Sequence, residues 1–93
     1  MGSAIVIKRE GREESYKEKK VLDSCYFACR SSHLTDSESK RISKAVAKQI
    51  TAFVKKARKG QISSDDIFKM LAKTLRKYNK DAAFLYETHR DIS

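Results

Sequence analysis

Between Ile42 and Ala57 the apolar residues recur every three or four positions: Ile42, Ala45, Val46, Ile50, Phe53, Val54 and Ala57. A helix gathers such a set onto one face, whereas a strand would scatter it over two. A helix of this length is held mainly by burying that face, so other elements must cover it. Its start is marked by Thr35-Asp36-Ser37-Glu38, a threonine followed three residues later by glutamate, which is a capping-box pattern. Gly60 is placed to end it as a C′ glycine. The segment predicts a helix over Asp36–Arg58, with Lys40, Arg41, Lys44, Lys48, Lys55 and Lys56 on its solvated side.

The covering elements are legible on either side, and no proline interrupts them. Lys17 to Arg30 predicts a helix whose stripe is Val21, Leu22, Cys25, Ala28 and Cys29, widened by Tyr26 and Phe27. After Gly60, Gln61-Ile62-Ser63 is short and extended and can add a small strand. Ser63 or Ser64 then caps a third helix, with Asp65 and Asp66 favourable in its positive first turn. Its stripe is Ile67, Phe68, Leu71, Leu75 and Tyr78. Asn79 caps a fourth helix, Lys80 to about Arg90, with Ala82, Ala83, Leu85, Tyr86 and His89 facing inward. Four amphipathic helices on short loops form a bundle. The expected fold is α+β and mostly helical, a four-helix bundle capped by a small β-hairpin or three-stranded sheet.

The hairpin comes first in the chain. Ala4 to Arg9 reads as a strand, with Ile5, Ile7 and Arg9 on one face and Ala4, Val6 and Lys8 on the other. Glu10-Gly11-Arg12 is the turn and Glu13 to Tyr16 the returning strand. Such a hairpin is marginal alone and must pack on the helices as a lid. A strand has no need of Lys8 and Arg9 side by side before its turn. A polyphosphate does, because Arg offers a planar fork of donors and Lys a compact point charge. A solvated hairpin tip is the plainer alternative.

Ninety-three residues make one small domain, divided here into a start or tag at 1–3, a hairpin at 4–16 and a helical bundle at 17–91. Composition bounds its work. The net charge of +9 attracts anions: nucleotides, nucleic acid or acidic protein surfaces. It is spread over the chain, which favours a basic surface on a folded body over a disordered arm. No apolar run is long enough to span a membrane and no signal-peptide pattern opens the chain, so the expected location is cytoplasmic with no membrane partner. Cys25, Cys29 and His33 recur every four residues. The two cysteines read as buried small residues, and a metal is not favoured because such sites usually draw four ligands from several elements. No P-loop, nucleophile triad or acid–base carboxylate pair is present, so no enzymatic activity is expected.

Taken together, Val6-Ile7-Lys8-Arg9-Glu10-Gly11, then Glu14, Tyr16, Lys20 and Val21, then Ser64-Asp65-Asp66-Ile67, then Ala82 and His89-Arg90 resemble the ATP-cone domain. The resemblance covers about Ala4 to Asp91. This is the nucleotide-sensing module at the N-terminus of many ribonucleotide reductases and in the bacterial repressor of their genes. It implies a four-helix bundle capped by a small sheet, and ATP or dATP as ligand, with Mg2+ as an accompanying ion and no catalytic cofactor. It implies that Lys8 and Arg9 hold the phosphates and that Lys20 reaches phosphate or adenine. Glu14 would lie near the ribose or base, with Val6, Tyr16, Val21 and Ser64 lining the adenine pocket. Two positions depart from the pattern. Lys17 stands where the family often has Asp or Asn, which caps the helix and can meet the ribose. Asp91 stands where some members carry a phosphate-binding lysine.

The function expected is therefore allosteric: a domain that senses ATP or dATP and modulates a partner enzyme, a transcription regulator or its own oligomeric state. A small basic nucleic-acid-binding module is the less favoured reading. A degenerate cone that serves only as a protein-interaction bundle is the third.

Overall fold

In the computed structural model, which describes residues 4–57 and 60–92, the chain runs β1 (Ile5–Ile7), β2 (Glu13–Ser15), α1 (Glu18–Ser31), α2 (Asp36–Lys55), β3 (Gln61–Ser63), α3 (Ser64–Tyr78) and α4 (Lys80–Ile92). The fold is α+β and mostly helical, as expected, and the cap is a three-stranded mixed sheet in the order β2-β1-β3. β1 pairs antiparallel with β2 and parallel with β3. The parallel partner arrives only after α1 and α2 have crossed over, so the sheet ties the start of the chain to its middle. Among the described residues no helix is long and apolar enough to cross a membrane.

Three of the four helix starts are fixed by a side-chain cap. The Thr35 hydroxyl accepts from the Glu38 amide at 3.1 Å, and the Asn79 side chain accepts from the Ala82 amide at 2.8 Å. Ser63, not Ser64, caps α3: its Oγ accepts from the Asp66 amide at 3.0 Å, leaving Ser64 as the first helical residue. Lys17 precedes α1 without any side-chain cap.

α1 and α2 form the most extensive helix pair. Ile42, Val46, Ile50 and Val54 of α2 are buried with Val21, Cys25, Ala28 and Cys29 of α1, as their periodicity requires. Ser39, Ser43 and Ala47 are buried as well. The core face of α2 is thus turned toward these small residues, while Ala45 and Phe53 lie at its half-buried edge and Ala57, past the helix end, is half-buried as well. Small side chains on both helices let the backbones approach closely.

Four expectations need correction. Gly60 does not end α2: the helix stops at Lys55 with Lys56 as its C-cap, and Gly60, at φ +66°, instead turns the chain into β3. Arg58, the expected last residue, lies outside the described residues. Tyr78 is 39% exposed, its hydroxyl accepting from Gln49 at 3.0 Å, so it caps the edge of α3 and does not fill the core. Phe27 is 56% exposed. β1 ends at Ile7, two residues before the expected Arg9.

Candidate functional site

The sheet register builds one wall of a cavity. Val6 lies opposite Glu14 on one side and Ile62 on the other. Directly paired residues share a sheet face. Val6 and Ile62 are buried in the core, so Glu14 is drawn inward with them. A carboxylate there needs cations. Lys20 donates to it at 2.9 Å from the first turn of α1, and Lys8 stands 3.5 Å away on the strand side. The hydrogen bond from Lys20 is the main reason the Glu14 carboxyl sits below its usual range. Partial desolvation opposes that shift and the charge of Lys8 reinforces it.

The early end of β1 decides where Arg9 goes. The Lys8 carbonyl accepts from the Gly11 amide at 2.9 Å, and the Lys8 amide donates to the Arg12 carbonyl at 2.8 Å. Gly11 has φ +91°, a conformation that a side chain would strain. Strict strand alternation would send Arg9 to the face opposite Lys8. The turn releases it from that alternation, and its Nε donates to Asp65 at 3.1 Å, joining the hairpin tip to the first turn of α3. Both partners are well exposed, so this pair adds little to stability, roughly 0 to 1 kcal/mol.

Between the hairpin and the helices lies a cavity of about 800 Å³, within the range of small-molecule sites. Val6, Lys8, Arg9, Glu14, Tyr16, Lys20, Val21 and Ser64, all the residues singled out from sequence, line it. The hairpin wall carries Lys8, Arg9 and Arg12, and α1 adds Lys20. The facing wall is apolar, formed by Ile67, Phe68 and Leu71 of α3 and Tyr86 of α4. The Phe68 and Tyr86 rings stack at 5.2 Å. Tyr16 closes the base of the hairpin, its hydroxyl 2.9 Å from that of Thr51, and burial raises its pKa.

Sequence reasoning missed Arg12, Phe27, Phe68 and Tyr86 as lining residues, and treated Lys17 only as a departure although it too lines the cavity. A signal was available. Tyr26-Phe27 and Ile67-Phe68 give α1 and α3 one large apolar residue more than a single buried stripe needs. Cys25 and Cys29 are buried and free. Burial, with the neighbouring Cys29 adding to it, pushes the Cys25 thiol up to about 12. His33 sits exposed at the exit of α1 with φ +72°. The side chains of His89, Arg90 and Asp91 lie outside the described residues.

The model of the ATP cone domain family matches residues 4–92, which takes in every strand and helix above. A comparison with curated proteins finds no match.

Proposed function

The chain belongs to the ATP cone domain family, a family of nucleotide-binding regulatory modules, and on that premise we propose that the cavity under the hairpin is its nucleotide site. The ligand is ATP or dATP, and the domain carries out no chemistry on it. One observation carries this reading: a single cavity combines the cations of the hairpin and α1 with an apolar wall on α3 and α4. The first suits a triphosphate and the second a purine.

In this reading Lys8, Arg9 and Lys20 take the phosphates, with Arg12 beside them. Val6, Tyr16, Val21 and Ser64 surround the adenine, and Glu14 lies toward the ribose. Five cations and three carboxylates line the cavity, so a triphosphate supplies charge the walls lack. Among the described residues no three His, Cys, Asp or Glu side chains converge as a metal cage. We therefore assign any Mg2+ to the phosphates themselves, a common arrangement for this ion. With Lys17 at the helix entry no side-chain acceptor is offered there to the ribose. ATP and dATP should then bind with affinities within about tenfold of each other, a difference of about 1.4 kcal/mol.

Regulation follows from competition. Glu14 holds Lys8 and Lys20, and Asp65 holds Arg9. Phosphate oxygens would replace these carboxylates and so loosen the hairpin from α3 at one point while fastening it through ligand at another. A nucleotide can shift such a balance only by its differential affinity for the two states. The output is a change in how the helices meet a separate regulated protein or a second copy of the chain.

The test is titration with ATP and dATP, with CTP as control, followed by calorimetry and thermal melting. At a hundredfold excess over Kd, an adenine nucleotide should stabilise by about 2.7 kcal/mol and raise Tm by roughly 10 °C or more. The double variant Lys8→Ala/Arg9→Ala should lose most of that shift. Absence of heat and of a melting shift at millimolar ATP and dATP would overturn this reading.

A further inference from the structure

A second charged feature lies away from the cavity. From Ser39 to Gly60 the sequence holds eight lysines and arginines and no acid. On α2 the cations Arg41, Lys44, Lys48 and Lys55 are exposed. At 100° per residue they fall in one row, opposite the buried Ile42, Val46, Ile50 and Val54. The row is about 21 Å long at 1.5 Å per residue. Lys40, at its edge, pairs with Asp36 at 3.2 Å. Among the described residues none of the other four takes part in an ion pair. The remaining exposed residues of this row are Ser37 and Ala52, and no residue of α2 lines the cavity.

Four like charges in one unneutralised row repel one another, and nothing in the core requires them. A protein partner is poorly matched. Protein interfaces centre on aromatic and other apolar anchors and are depleted in lysine, and this face has cations and small residues only. Cations repeating along a straight helix match phosphates repeating along a strand.

We propose that the exposed face of α2 binds the sugar–phosphate backbone of nucleic acid without reading its sequence, through Arg41, Lys44, Lys48 and Lys55. The face offers no Asn, Gln or aromatic residue within the row to contact bases, so affinity rests on charge. DNA and RNA share this chemistry. This proposal stands independently of the nucleotide site, because the two surfaces share no residue.

The test is fluorescence anisotropy with a labelled mixed-sequence DNA duplex, and in parallel an RNA duplex and single strands, across a salt series. Four phosphate contacts predict a slope of log K against log salt of about −3.6 on duplex DNA. Lys44→Glu/Lys48→Glu should lower affinity at least about tenfold at low salt and shrink the slope to about −1.8. Lys44→Gln/Lys48→Gln should shrink the slope equally, which separates loss of contact from added repulsion. Lys69→Glu/Lys73→Glu on α3 makes the same change of charge elsewhere and should leave the slope unchanged. Melting curves and ATP titration of each variant report on the fold and the cavity. The proposal is overturned by no binding to any strand at low salt or by equal losses from the α2 and α3 variants. Competition by polyglutamate as strong as that of DNA at equal charge would also overturn it.

Discussion

Arg9 and Asp65 show how much one turn changes at the scale of single residues. The Gly11 turn ends β1 at Ile7, and Arg9 escapes strand alternation to meet the first turn of α3. In the proposed site Asp65 then competes with phosphate for the same guanidinium. Asp65→Asn should therefore tighten ATP binding about two- to fivefold in calorimetry, the range that an exposed ion pair allows. It should change unfolding stability by less than about 1 kcal/mol. Weaker binding in this variant would mean that Asp65 assists the ligand and does not compete with it. Arg9 and Lys8 were readable as neighbours in sequence. That Glu14 lies beside Lys8 was not, because the β1–β2 register and the turn geometry put them together across six residues.

Helix boundaries show the reach of local chemistry at the scale of elements. Thr35 and Asn79 cap their helices through side chains that lie three residues from the amides they serve, which is information a short window contains. The choice between Ser63 and Ser64 was not settled locally, since either hydroxyl suits a cap. β3 pairing settles it: Ser63 lies opposite Ile7 in the parallel ladder and is held extended, as an N-cap must be. Ser63→Ala should cost about 1 kcal/mol in urea unfolding. Ser64→Ala, already inside the helix, should cost less than about 0.5 kcal/mol. The reverse order would assign the cap to Ser64. The end of α2 was misjudged for a related reason. A glycine nearby is a permissive signal, but the chain had to leave the helix earlier to bring Ile62 alongside Val6.

For the molecule as a whole, the buried cysteines report on opening. Cys25 lies at the α1–α2 core, and burial moves its thiol from an ordinary 9.0 up to about 12. An acid whose folded pKa is raised ionises more readily in the unfolded chain. Between pH 9 and about 12 the folded state should thus lose stability as pH rises, while below pH 9 this group adds no slope. Melting temperature against pH checks the sign, and Cys25→Ala should flatten the curve in that window. At pH 8 a thiol reagent should reach Cys25 and Cys29 only through opening. Saturating ATP should slow that labelling in proportion to 1 + [L]/Kd when opening is fast and reversible. Labelling at the same rate with and without ATP would argue against binding to the folded state.

Periodicity, caps and charge were enough to determine four helices, an opening hairpin and a cationic pair at its end, because each depends on residues a few positions apart. Tertiary structure alone decided that β3 joins β1 in parallel and that Phe68 and Tyr86 form the wall facing the hairpin. It alone decided that Glu14 and Asp65 hold the hairpin's cations. Those contacts link residues far apart in the chain or set by register, and such distances are fixed only when the helices pack and the strands align.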